Sequence, residues 1–339
     1  MRPLRSCRES GKISAEQEKE GWRMKADKNA RLSALPASQR SLGANFRKYW
    51  PYYVMVLPGV VYMIVFKYIP MLGSVIAFQD YSVYEGILGS KWVGLKNFIQ
   101  LFTYADFKKI FVNTLVLGAY KIIFVFPIPI ALALMMNEVR REKLKKSIQT
   151  AVYIPYFLSW IIVAELVFDF FGANGIFNQI RGMMGMQPIL IMQQSKYFRL
   201  VYVISSIWKE AGWGTVVYIA AISGIDQSLY EAAQIDGASR WQRMTKITFP
   251  LLIPTIVTLL LLNIGSFMDL GFEHVFSLLT PMTYSTGDIF DTYVYRVGIL
   301  QAQYSITTAV GLFQSVIGLV LVVFFNNLSR KISEDGGLW

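Results

Sequence analysis

The sequence predicts an all-α polytopic membrane protein with six transmembrane helices and cytoplasmic N- and C-termini, and three observations carry that prediction. Of the 339 residues, 54% are hydrophobic and 16% charged, with a mean hydropathy of +0.41, more apolar than a soluble domain of ordinary charge content. The apolar residues gather into six runs, about 52–78, 110–136, 148–171, 199–223, 249–270 and 305–328. Each is close to the ~20 residues a helix needs to cross a bilayer core, and none alternates as barrel strands do. Lys and Arg are unevenly placed: with the N-terminus inside, the inner segments hold 22 of the 33 and the outer loops eight, counting Arg199 at the edge of the fourth run. Positively charged loops stay on the cytoplasmic side.

The formal charge of +11 follows from this bias and from contact with membrane lipid; nucleic-acid binding accounts for it less well. Cys7 is the sole cysteine, which excludes an intrachain disulfide and a cysteine metal cluster. His274 is the sole histidine, so a metal site is not expected.

In chain order, residues 1–50 form a basic cytoplasmic arm. The first 23, "MRPLRSCRESGKISAEQEKEGWR", have no apolar core of signal-peptide length. Codons for Lys19, Glu20 and Gly21 can spell a ribosome-binding sequence just ahead of Met24, so Met24 is the expected start and 1–23 a mis-called leader. Residues 51–330 make the membrane domain. Pro58 and Pro70 predict kinks in the first span. The outer loop 79–109 carries "KWVGLKNF", with Gly94 suited to a turn and Trp92 and Phe98 to the membrane surface. Pro127 and Pro129 in "FPIPIALALMMN" free carbonyls that need partners in the bundle.

The inner loop 137–147 is short and basic, and the third span, 148–171, carries Glu165 and Asp169 near its end. The outer loop 172–198 reads as turns around "GANGIFNQIRGMMG". The fourth span holds charges where they cost several kcal/mol and face a cavity or a partner. These are Lys209 and Glu210, flanked by Trp208 and with Trp213 one turn beyond Lys209. They are read either as pathway-lining groups or as charges that neutralise each other or pair with a partner subunit. Asp269 and Glu273 lie four apart at the outer end of the fifth span, where an aromatic- and acid-rich outer segment too long for a simple connector begins, and are further pathway candidates. The tail is 331–339.

Between the fourth and fifth spans lies a polar segment, 224–248, with "QSLYEAAQIDGASRWQRMTKITFPLL" at its heart. Ser228 with Glu231, and Ser239 with Gln242, have capping-box spacing. The segment reads as a helix 229–235, a Gly237 terminator, a second helix 240–248, and Pro250 as stop and restart. A surface connector dipping Leu229, Tyr230, Ile235 and Trp241 into lipid is the plainer alternative.

The register of that segment resembles the EAA loop of permease subunits in bacterial ATP-binding-cassette importers of the type I kind. Glu231, Ala232 and Ala233 are followed after three residues by Gly237, then by Ile247 and Pro250. "VGLKNF", "YIPYFLSW", "IWKEAGW" and "DTYVYRVGI" resemble the carbohydrate branch, MalF-type and LplB-like oligosaccharide permeases. The resemblance implies a multi-pass protein of the bacterial plasma membrane in which Glu231, Ala232, Ala233, Asp236, Gly237, Ile247 and Pro250 couple to an ATPase. It further implies a second homologous permease, an ATPase dimer carrying ATP and Mg, an extracytoplasmic substrate-binding lipoprotein and an oligosaccharide substrate. The chain itself contains no phosphate-cradling G-x-x-x-x-G-K-[ST] loop, so no cofactor is expected on it. A polytopic enzyme such as a lipid-linked glycosyl transferase using Asp169 or Asp269 is the alternative, and scattered acids argue against it.

Overall fold

The structure, a computed structural model, describes residues 42–332, with side-chain surroundings for 49–330. Cys7, the leader reading of 1–23, Met24 and most of the tail 331–339 lie outside the described residues. The chain divides into two compact units, Met1–Leu72 and Gly73–Trp339. The described part of the first is a helix, Leu42–Met63, then a π-helical turn, Ile64–Tyr68, and a helical turn, Ile69–Leu72. Pro58 lies inside the first of these without ending it.

Among the described residues, five helical stretches are long and apolar enough to cross a membrane: Tyr49–Phe78, Phe107–Asn137, Trp160–Met183, Arg240–Gly265 and Tyr304–Arg330. The expected fourth span forms a single helix, Ser195–Ser223, of 29 residues. It is long enough, but Lys209, Glu210 and its hydroxyl groups keep it out of the apolar set. In the second unit it packs against Pro127–Asn137, with Tyr218, Ile222, Ile130, Ala133 and Leu252 in one buried cluster. Toward its other end, Phe198, Val201 and Tyr202 join Val275, Leu278 and Ile289 in a second.

The third span departs from expectation. Instead of one helix over 148–171 there are two, Glu142–Tyr153 and Trp160–Phe171, separated by a 3-10 turn, Ile154–Phe157. Pro155 withholds a backbone donor, and Ser159 starts the next helix by accepting from the Ile162 N–H at 3.3 Å.

Three prolines share one local solution. Just before Pro70, Pro127 and Pro250 the helix widens into π-helical turns, Ile64–Tyr68, Lys121–Val125 and Met244–Thr248. In each, the residue preceding the proline (Ile69, Phe126 or Phe249) donates to the carbonyl five residues back. The bulge gives the ring room and lets the helix continue. The segment after Gly265 folds into short helices, including Phe272–Leu278 and Phe290–Tyr293. Buried Asp288 anchors it, held bidentately by Arg296 at 2.8 and 3.1 Å and by Thr292 at 2.8 Å.

Candidate functional site

Two regions gather the residues singled out from the sequence. The first is the polar segment. Asp226, not Ser228, caps its helix Gln227–Ile235, accepting from the Ser228 N–H at 2.9 Å. Ser228 already lies in the helix, so the expected box with Glu231 does not form. The Ser228 hydrogen bonds hold the Asp226 carboxyl below the usual carboxylate range. The cap is therefore complete at neutral pH and is lost as pH falls through that lowered value.

The helix ends in a Schellman motif. Ala238 N–H donates to Ala233 O at 2.9 Å and Gly237 N–H to Gln234 O at 3.1 Å. Gly237 takes φ +75°, the left-handed conformation that favours glycine. The second capping box does form: Ser239 Oγ accepts from Gln242 N–H at 3.3 Å, and Gln242 Oε1 accepts from Ser239 N–H at 2.7 Å. From Arg240 the chain is helical to Gly265. Pro250, expected to stop the helix, is absorbed by the preceding π turn.

Two side-chain bonds brace the first helix against the second. The Tyr230 hydroxyl meets Thr248 Oγ1 at 2.8 Å, and the Arg243 guanidinium donates to Gln234 Oε1 at 3.2 Å. Glu231, Ala232, Asp236, Gly237 and Pro250 are exposed, and Ala233 and Ile247 half-buried. Ile235 is 87% exposed and Trp241 69%, so the projection shows acidic, small and apolar groups together.

The second region is a cavity of about 330 Å³ whose wall includes Lys121, Tyr156, Glu210, Trp213 and Asn263. Lys209 and Glu210 do not neutralise each other, as one reading of the sequence had it. Lys209, 7% exposed, turns its ammonium to the carbonyls of Tyr156 (2.7 Å) and Leu158 (2.5 Å). These carbonyls were released where the third span breaks, and the rings of Tyr156 and Trp160 lie 5.3 and 5.1 Å from the same cation. Glu210 instead faces Lys121, at 3.8 Å across the cavity wall.

Trp213 stacks on Tyr156 with centroids 4.7 Å apart and planes within 8°, and both residues line the cavity. Trp208 is half-exposed and is not among the lining residues. Replacing Lys209 with Met leaves two carbonyls unpaired, at a cost of roughly 1–3 kcal/mol. A lowered melting temperature of the purified protein is the expected result, and an unchanged one would overturn this role.

The structure does not bring Asp269 and Glu273 to that cavity. Both are exposed. Asp269 accepts from the Gly271 N–H at 3.2 Å and borders a separate cavity of about 500 Å³ with Asp291 and Gln314. Their neighbour His274 is buried, stacked between Trp160 (3.6 Å) and Tyr202 (4.5 Å), with Nε2 2.8 Å from Ser205 Oγ. Tyr156, Lys121 and Asn263 were not among the pathway candidates, because they come from three separate elements. "YIPYFLSW", with its Pro155 and Ser159, was the one signal pointing to a break there.

Residues 125–334 match the family described as binding-protein-dependent transport system inner membrane component. The chain is 48% identical over 285 residues, 84% of its length and 89% of the relative's, to the polygalacturonan/rhamnogalacturonan transport system permease protein YteP of Bacillus subtilis (strain 168). To Protein LplB of the same organism it is 45% identical over 285 residues, 84% and 90% of the two chains. Its fold is similar to a chain in the crystal structure of a bacterial alginate ABC transporter in complex with alginate pentasaccharide-bound periplasmic protein. The TM-score is 0.79 at 41% identity, covering 86% of this chain and 98% of that one. With transport permeases as relatives, the membrane-enzyme reading loses its ground. The chain belongs to the family of inner-membrane permease components of binding-protein-dependent ABC transporters, a multi-pass transport subunit and not an enzyme.

Proposed function

We propose that this protein is one permease subunit of an ATP-driven oligosaccharide importer, forming half of the translocation pathway and coupling to a separate ATPase through residues 224–250. The observation that supports this reading most is the braced, exposed projection in which Glu231, Ala232, Ala233 and Gly237 keep the EAA register on a Schellman-terminated helix. A segment that transmits force between subunits must be rigid and must present its recognition groups outward.

In this reading Ser195–Ser223 is the fourth of six spans, its Lys209 and Glu210 satisfied within the bundle. Both termini and the coupling segment are then cytoplasmic. A second permease completes the pathway, an ATPase dimer binds ATP and Mg, and an extracytoplasmic lipoprotein delivers substrate. The stacked Trp213 and Tyr156 suit the C–H faces of sugar rings, while Glu210, Lys121 and Asn263 suit hydroxyl and carboxylate groups. The relatives named for polygalacturonan and alginate make uronate oligosaccharides the first substrates to test.

The test is ATP hydrolysis by the reconstituted complex with binding protein loaded from a panel of neutral and uronate oligosaccharides. Stimulation that requires loaded binding protein and is lost in Glu231→Ala, with membrane insertion intact, is expected; retained stimulation in Glu231→Ala would contradict the coupling role. Trp213→Ala removes the stacking platform and is expected to slow uptake roughly two- to tenfold, with ATPase assembly unchanged. Wild-type uptake in that variant would remove Trp213 from the pathway.

A further inference from the structure

A third cavity, of about 280 Å³, opens beside the coupling segment, and its wall is of another character. Arg140, Arg240 and Arg243 all border it. They come from separate parts of the chain: Arg140 follows the helix Pro127–Asn137, and the other two lie on the turn Arg240–Arg243. Glu138 is the single acid in this wall. Among the described residues the ion pairs join Lys109 to Asp106, Lys121 to Glu210 and Arg296 to Asp288, and none involves these arginines. Arg243 donates only to the neutral Gln234 amide. Asp226, at the start of the helix that brings Gln227 and Tyr230 to the cavity, already accepts from Ser228.

Three arginines therefore border one space against one acid, and such a concentration of like charge repels itself unless an anion enters. The other lining groups complete an anion site. Asn137 and Gln227 offer neutral donors, while Ile222 and Ile225 form an apolar edge where the helix Ser195–Ser223 ends. A guanidinium fork matches phosphate oxygens bidentately. Basic pockets between membrane helices on the cytoplasmic side take lipid headgroups.

We propose that this cavity is a phosphate site filled by the headgroup of an anionic phospholipid from the cytoplasmic leaflet. The inference rests on the cytoplasmic placement of the segment proposed above. A phosphate held by Arg140 on one side and by Arg240 and Arg243 on the other ties the end of the Pro127–Asn137 helix to the coupling segment. Lipid composition thereby tunes how firmly the segment follows the ATPase. Soluble phosphate offers the same chemistry from the aqueous side.

The test is native mass spectrometry of the intact importer released from nanodiscs of mixed phosphatidylglycerol and phosphatidylcholine, with and without added inorganic phosphate. Preferential retention of phosphatidylglycerol is expected, weakened about fivefold by each of Arg140→Gln and Arg240→Gln. Glu138→Gln, which removes the opposing charge, is expected to raise it. Displacement of lipid by inorganic phosphate would support the site and show that it is open to both sources. Equal retention of the two lipids, insensitive to phosphate and to all three variants, would overturn it. So would loss of the ATPase from the Arg variants with lipid selectivity unchanged, which would assign the arginines to an acidic surface of that partner. Lipid retention is read without reference to sugar-stimulated hydrolysis, so failure of the importer reading and failure of this site are separable.

Discussion

Gly237→Val is expected to abolish most substrate-stimulated ATP hydrolysis while leaving the protein in the membrane. The cost lies in the backbone and not in space, because a Cβ at this position meets nothing within 4 Å whereas φ is +75°. An L-residue forced into that conformation costs roughly 1–2 kcal/mol, and a β-branched one more. The alternative is to give up the Schellman bonds from Ala238 and Gly237, which redirects the chain entering Ser239 and pulls Tyr230 from Thr248. Either way the population with a correctly set projection falls roughly tenfold. Gly237→Asn, whose residue tolerates the left-handed region, is expected to keep most activity. Gly237→Asp adds a charge to the face offered to the ATPase and is expected to abolish transport. Equal hydrolysis rates for Val and Asn variants would show that the turn's geometry does not set coupling.

Gly212→Ala is expected to have the largest effect on folding. Here the backbone conformation is ordinary and the space is absent. A Cβ would overlap the carbonyl oxygen of Val152 and lie 2.7 Å from its carbonyl carbon and 3.1 Å from the Cα of Tyr153. All are backbone atoms, which cannot swing aside as a side-chain end would. The helices Ser195–Ser223 and Glu142–Tyr153 must separate, at a cost on the order of 1–3 kcal/mol or more. The displacement carries Tyr156 away from Trp213 and from the Lys209 ammonium. The expected result is a clear drop in melting temperature with loss of transport. Gly59→Ala, mid-helix with nothing within 4 Å, is the control and is expected to be neutral to stabilising by about 1 kcal/mol. Matching melting curves for Gly212→Ala and wild type would show that the crossing relaxes freely.

The polar segment 224–248 was legible in detail because its information is local. Gly237 as the terminator and Ser239 with Gln242 as a capping box both depend on residues within one turn of each other, and both form. The error at Ser228 is local too. Asp226 and Ser228 are both good caps, and spacing alone does not say which of them the backbone leaves extended. Pro250 misled for a different reason: the general effect of proline in a helix was right, but a π turn absorbs it at three places in this chain.

The membrane cavity was legible only in part. Lys209, Glu210 and Trp213 stood out as polar and aromatic groups in an apolar run. The reading in which Lys209 and Glu210 neutralise each other fails because consecutive residues on a helix point about 100° apart and do not face each other. Lys209 finds its carbonyls on the broken third span and Glu210 its lysine on the π turn of the second. Neither partner is near in sequence, and nothing in the apolar run 148–171 marked a break beyond Pro155 and Ser159.

By itself, then, the amino-acid sequence determined that this is a helical membrane protein and where its polar segment 224–248 turns, since apolar run length, the placement of Lys and Arg, and cap chemistry all act over a few residues. Only the tertiary structure decided which charges meet, where the third span breaks, that His274 is buried between two rings, and that three arginines share one cavity. Those outcomes depend on the crossing of helices far apart in the chain, and close approach at Gly212 or a released carbonyl at Leu158 has no counterpart in local sequence pattern.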